Sequence, residues 1–389
     1  MPRDPSPAPL TERERLARLR LIRTENVGPM TFRQLIDRFG TAVDAIDALP
    51  DLARQGGRRR PLAVPGRAAA EREVADNARA GARLIVFGDA AYPASLAAIE
   101  DAPAALSVIG HGALLSERAL AVVGARNASM NGRRLAGTLA RGIGDGGYVV
   151  ASGLARGIDG AAHEGALESG TVAVVAGGID VIYPPEHADL FARIAEAGVV
   201  IAEQPIGTTP QARHFPSRNR IIAGLSLGTL VVEAAARSGS LITARRALDQ
   251  GREVFAVPGS PLDPRCAGTN GLIKEGAAFL VESAHDVLRV LDGLPQRYLA
   301  EPPAPEWTGP SDREVLDGTG ETRRAAIDER SRRLVLEALG PEAVPVDELI
   351  RGCQLSAPIV ASVLLEAELA GIVDRHPGNQ VSRRMDAPA

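Results

Sequence analysis

Lysine is all but missing from this chain: Lys+Arg number 44, and Lys274 is the only lysine. That excludes a Walker A phosphate loop, whose lysine follows a GxxxxG run, because Lys274 follows none. The excess of Ala and Gly alongside Arg fits the codon usage of a GC-rich genome, so arginine richness alone carries little functional meaning. Aromatics make up only 3% of the residues, so the place of each one is informative. The two cysteines, Cys266 and Cys353, are far apart and form no CxxC. This excludes a disulfide scaffold and a structural zinc site, and fits a reducing compartment. Neither charge predominates: 44 basic residues face 48 acidic ones, for a net charge of −4. A wholly basic nucleic-acid binder is excluded, and any such binding must come from a local patch. The N-terminal MPRDPSPAPLTERER lacks the apolar core of a signal peptide, and no run approaches the length of a membrane span. A soluble, cytoplasmic protein is expected.

What the sequence does have is 389 residues, 45% of them hydrophobic, enough for two or three domains. The central stretch runs from Leu120 to His163. An apolar run ends at Gly124, and a loop leads into a helix from Gly132. A second apolar run ends at Ser152-Gly153, and a second glycine-rich loop opens a helix near Asp159. Strands alternating with helices predict a parallel sheet. Both loops then lie at carboxyl ends of strands, where open α/β sheets bind ligands. Each feeds a helix N-terminus that favours a phosphate, and each carries an arginine, Arg126 and Arg156. Gly124 to Gly132 does not spell GxGxxG, which argues against a dinucleotide cofactor.

Further strands are expected at 171–176, 199–203, 229–233, 253–257 and 278–281, with helices at 186–196, 216–225, 240–250 and 271–275. Short strands at 83–87 and 105–109 precede the main sheet. Upstream, helices are expected at 10–24, 31–39, 41–46 and 68–79, after a disordered start over 1–9. Residues 294–330 are rich in Pro, Gly and charge, and read as a linker. Residues 331–384 give three helices and a hairpin, the pattern of a winged helix, which binds duplex DNA in some proteins and other proteins elsewhere.

The loops after the main strands also carry Arg213, Arg218, Arg220 and Arg237. Guanidiniums and helix N-termini sharing one sheet edge suit a string of phosphates better than one small anion. Phe215 stands beside Arg218, Asn219 and Arg220. It could stack a base, or be a core residue with Pro216 in the first helical turn. Ser238-Gly239-Ser240 could be another N–H anion nest or a plain helix cap. Asp159 and His163 lie one helical turn apart, but no third metal ligand is evident, and Asp159 reads more simply as a helix cap.

Taken together, VGAR at 123–126, SGLARGIDGAAH at 152–163, GGIDVIYP at 177–184, FPSRNRIIAGLS at 215–226, SGSLITA at 238–244, REVFAVPG at 252–259 and GTNGLIKEGA at 268–277 resemble the DNA-processing protein A family, also called Smf. The resemblance implies an extended Rossmann-like, doubly wound parallel sheet of the α/β class over 81–293. It also implies an N-terminal helical domain of sterile-alpha-motif type over 1–80 and a C-terminal winged-helix domain over 331–389, beyond the 294–330 linker. It implies a non-enzymatic function, with no cofactor, no metal and no catalytic residue. Family members bind single-stranded DNA, dimerise through the Rossmann domain and help load the RecA recombinase in natural transformation. The site residues it implies are Gly124, Arg126, Ser152, Gly153, Phe215, Arg218 and Asn219; the placement of the loops adds Arg156, Arg220, Ser238 and Ser240 to the expected DNA-binding set. Ala125 stands where the family has a serine. The alternative is a nucleotide hydrolase of the lysine-decarboxylase-like group, whose glutamate would be Glu233.

Overall fold

The computed structural model describes residues 9–58, 60–294, 329–376 and 378–384. Of the expected disordered start over 1–9, residues 1–8 lie outside the described residues, as do residues 295–328 of the expected linker over 294–330. By internal contacts the chain forms two units. One holds residues 1–19 and 66–300, the other 20–65 and 301–389.

The first unit is built on a nine-stranded sheet. Its strands are β1 (Arg83–Val86), β2 (Ala105–Gly110), β3 (Ala119–Val123), β4 (Val149–Ser152), β5 (Thr171–Gly178), β6 (Val199–Gln204), β7 (Gly228–Val231), β8 (Glu253–Ala256) and β9 (Phe279–Leu280). They lie in the order β1-β2-β6-β5-β4-β3-β7-β8-β9. From β6 to β9 all pairings are parallel. Every residue of β3, β4 and β5 is buried, as expected of parallel strands covered on both faces. Side chains alternate between two cores. Leu120, Val122 and Val150 enter a core shared with Ala136, Ile143 and Ala162 of helices α6 (Met130–Asp145) and α7 (Ile158–Ala166). Ala121, Val123 and Ala151 enter a core with Ile221 and Ala244 of α9 (His214–Leu225) and α10 (Gly239–Asp249) on the other face.

The doubly wound sheet follows the sequence reading, with one difference. β1 and β2 are antiparallel, β2 pairing with β6 through Val108 opposite Ile201, so the sheet is mixed. Strand order reverses at β3, which lies between β4 and β7. That reversal is where open α/β sheets hold ligands.

The second unit contains α2 (Pro29–Phe39), α3 (Ala42–Gln55), α13 (Glu329–Glu337), α14 (Val346–Cys353), α15 (Ala357–Leu369) and the three-stranded sheet of β10 (Val344–Pro345), β11 (Val373–His376) and β12 (Gln380–Arg383). Helix α3 runs nine residues past the expected stop at Ile46, through Pro50, because Leu49, Leu52 and Ala53 continue its buried stripe. Every residue of α15 from Val363 onward is buried. Gly56, just past α3, packs on the backbone carbonyl of Glu366 so closely that a Cβ would overlap it. Asn26 donates to the carbonyl of Leu369 (3.3 Å), and Arg375 bonds both Glu368 (3.0 Å) and Gln34 (3.4 Å). Among the described residues no single helix is long and apolar enough to cross a membrane.

Candidate functional site

Two turns leave the sheet where its order reverses. After β3, the chain turns through Gly124, Ala125 and Arg126 to Ser129, which caps α6 by accepting from the N–H of Gly132 (2.8 Å). After β7, Glu233 reaches the same place. Its carboxylate accepts from the N–H (2.9 Å) and the hydroxyl (2.6 Å) of Ser129. The N-terminus of α6, the usual seat of a phosphate in such folds, is therefore filled by the protein's own carboxylate. Gly132 is required there, since a Cβ would run into that carboxylate. Glu233 is 7% exposed and does not line the cleft, so the residue that the hydrolase alternative needs is committed to holding β7 against α6.

The second turn is closed in the same manner. Asp159, expected as a helix cap, is instead a buried carboxylate that accepts from the N–H groups of Gly153 (3.2 Å) and Ala155 (3.3 Å). His163 accepts from the N–H of Leu154 through Nε2 (3.3 Å), and its Nδ1 donates to Thr171 Oγ1 (2.7 Å), whose hydroxyl donates to the carbonyl of Val150. Burial pushes the His163 imidazole down to about 3, so the ring is neutral, and this bonding fixes its tautomer. The turn expected to offer free N–H groups to phosphate has them bonded internally. Ser152 points inward, fully buried, and donates to the carbonyl of Val122 (2.6 Å).

Arg218 locks the second turn to the sheet. It is 6% exposed and donates to the carbonyls of Gly153 and Val174. Burial pushes its guanidinium down to about 10, with the Asp159 carboxylate opposing the shift. It remains a cation at neutral pH, facing a carboxylate that burial itself pushes upward. A Cβ on Gly153 would collide with this guanidinium. Arg220, expected to meet phosphates, does not line the cleft. It is 5% exposed and ion-paired with Glu203 and, at 3.7 Å, with Asp101. Helical geometry is the reason: two residues apart on α9, Arg218 and Arg220 cannot share a face.

What faces outward is a cleft of about 790 Å³ lined by Gly124, Arg126, Phe215, Asn219, Ser238 and Ser240, with Tyr183 across from them. A smaller hollow of about 300 Å³ continues past Tyr183 and includes Gly153 and Arg156. Arg126 is exposed, and its guanidinium lies 4.8 Å above the Phe215 ring, a cation–π distance. Phe215 meets Tyr183 at 5.8 Å between centroids, and Tyr183 remains 47% exposed. Arg156 is exposed but paired with Glu186. Ser238 caps α10 and shares a 2.7 Å hydrogen bond with Ser240. Asn219 joins this turn to α9 by donating to the carbonyl of Gly239 (3.4 Å). Tyr183 escaped the sequence reading, although scarce aromatics and the Tyr-Pro pair were a signal. Among the described residues no group of three His, Cys, Asp or Glu could hold a metal ion.

Comparison with known proteins bears on this edge directly. Residues 83–292 match the family model described as DNA recombination-mediator protein A. Residues 12–75 match a DprA-like N-terminal HHH domain, and 319–379 a DprA winged helix domain. Protein Smf of Escherichia coli is 40% identical over 296 residues, 75% of this chain and 75% of that protein. DNA processing protein DprA of Bacillus subtilis is 43% identical over 220 residues, 56% of this chain and 73% of that protein. The X-ray structure of DNA processing protein A from Streptococcus pneumoniae matches with a TM-score of 0.63 at 36% identity, over 72% of this chain and 98% of that one. A Helicobacter pylori structure, reported for its unique single-stranded DNA binding mode, matches with a TM-score of 0.50 at 27% identity, over 55% and 97%.

Proposed function

The chain belongs to the DNA recombination-mediator protein A family, and from that premise we propose that it binds single-stranded DNA, without sequence preference, in the cleft at the carboxyl edge of its parallel sheet. The observation that carries the proposal is the exposed Arg126 guanidinium stacked on Phe215 beside the half-exposed Tyr183 ring. A cation beside an open aromatic face is what a strand with unpaired bases needs, since any base can stack and every linkage carries a charge. Tyr183 is the platform, Phe215 supports it, and Arg126 meets the backbone. The N-terminus of α10 at Ser238 to Ser240 offers a second anion contact. Arg218 lines the floor of the cleft and holds the second turn in place. Nothing in this arrangement requires a reaction, and we assign the protein a binding role.

The finer reading extends that proposal. The protein protects incoming DNA, passes it to the RecA recombinase, pairs with a second copy through its Rossmann-like domain and works in the cytoplasm. The division at residues 81, 294 and 331 belongs to the same reading.

The test is a titration of the full chain with single- and double-stranded oligonucleotides at several salt concentrations. Tyr183→Ala is expected to weaken single-strand binding by about 1–3 kcal/mol, the usual value of one stacked base, and to leave the salt slope unchanged. Arg126→Ala is expected to lower the slope by about 0.7, one phosphate's share on a single strand. Tighter binding to duplex than to single strands, unaffected by either change, would overturn the proposal.

A further inference from the structure

On the α6–α7 face of the sheet lies a second basic hollow, about 500 Å³ in volume, lined by Arg133, Arg134, Thr138, Arg141, Glu164 and His187. Its floor is the seam where α6 crosses α7. Gly165 there packs on the backbone of Gly137 too closely for any Cβ, which leaves a shallow trough where long side chains would otherwise stand. Arg133, Arg134 and Arg141 are exposed, and among the described residues none of the three has an ion pair. Arg134 and Arg141 are seven residues apart on one face of α6, about 10 Å along the axis. Glu164 is the one acidic side chain in the wall.

The trough adjoins the turn that lines the cleft. Gly157, at its upper end, has a positive φ of 78° and abuts the carbonyls of Ala125 and Arg126, the turn that carries the exposed cleft arginine. His187 lines the trough while its Nδ1 donates to the carbonyl of Leu154 (3.0 Å) in the second turn. The neighbouring Glu186 holds Arg156 between the two hollows.

We propose that this trough is a second, purely electrostatic segment of the nucleic-acid path, carrying the backbone of a single strand out of the cleft along α6. The proposal rests on the cleft reading above. The trough is lined by no Phe, Tyr or Trp, and its His187 ring is tied to the carbonyl of Leu154, so bases would face solvent there, and only phosphates would be held, by Arg134 and Arg141 with Arg133 beside them. Strands long enough to leave the cleft should reach the trough, and short ones should not.

The experiment compares thymidine oligonucleotides of about 6 and about 16 residues, spanning the usual range of single-strand site sizes, on the full-length protein across a salt series. In the double variant Arg134→Ala/Arg141→Ala, the slope for the long strand should fall by about 1.4, two phosphates' worth, and the slope for the short strand should not change. Glu164→Gln should tighten long-strand binding only. Because all three side chains are exposed, the variants should keep the wild-type melting temperature. Unchanged long-strand binding in the double variant, while Arg126→Ala still weakens both lengths, would overturn the trough and leave the cleft standing. Equal loss on short and long strands would also overturn it. If Arg126→Ala affects neither length, the cleft reading fails, and the trough falls with it.

Discussion

Arg218 shows how an arginine of the FPSRN segment can line the cleft while its guanidinium is spent on the protein's own backbone. Its guanidinium bonds two backbone carbonyls and faces Asp159 in a buried space. Arg218→Ala leaves Asp159 buried without its counter-charge, and the expected loss is about 3–5 kcal/mol of stability, measured by thermal or denaturant unfolding. Arg218→Lys should recover little, because an ammonium cannot reproduce the planar fork that meets two acceptors. Gly153→Ala should cost about 1–3 kcal/mol for the same crowded contact. His163 adds a pH dependence whose sign is fixed. Its imidazole is held neutral down to about 3 when folded, against 6.5 for an unperturbed histidine. Unfolding therefore takes up a proton between those values, and stability falls as pH drops from about 6.5 toward 3, by up to about 1.4 kcal/mol per pH unit. Melting temperature followed from pH 7 to pH 5 should drop less in His163→Gln than in the wild type.

Elements were more legible than the directions of their side chains. The run at 172–176 announces a buried strand because nothing polar interrupts it, and β5 spans it. The antiparallel pairing of β1 and β2 carries no such mark, since strand direction is decided by connections and not by composition. FPSRN marks α9 and its neighbourhood, yet Arg218 and Arg220 are both buried there. Arginine is rarely buried unless paired, and the partners Asp101 and Glu203 are remote in sequence from Arg220, so nothing local warned of it. The α6 N-terminus was hidden similarly, because Glu233 fills it from a different strand. That arrangement makes a prediction at this scale. Glu233→Gln offers only one acceptor to a hydroxyl and an N–H of Ser129, and should lose about 1–3 kcal/mol of stability for the orphaned donor. Ser129→Ala removes the cap as well as the link and should cost about 0.5–2 kcal/mol. The pair should be non-additive, and single-strand affinity in the same titrations should hold, since neither side chain lines the cleft.

For the molecule as a whole, the family match spans both units, yet the two N-terminal helices α2 and α3 find their packing partners among the C-terminal elements. The last helix of the winged-helix unit, α15, is enclosed by its own neighbours and by α3. Buried from Val363 onward, α15 keeps an accessible face only in its first turns, between Ala357 and Ser362. Gly56→Val, which drives a side chain into the carbonyl of Glu366, should destabilise this unit by about 1–3 kcal/mol. Calorimetry should show its transition moving down while that of the sheet unit stays in place. A single shared shift would contradict the division into units.

The split make-up of that second unit sets an order of events on the ribosome. Residues 20–65 emerge early, but the partners they pack against begin some 260 residues later. At about 5–20 residues per second, roughly 13–50 s of synthesis separate the two halves. The sheet unit is completed in the interval, while α2 and α3 wait for the C-terminal elements they pack against. In a nascent chain those two helices are the segment that a holdase chaperone would be expected to cover.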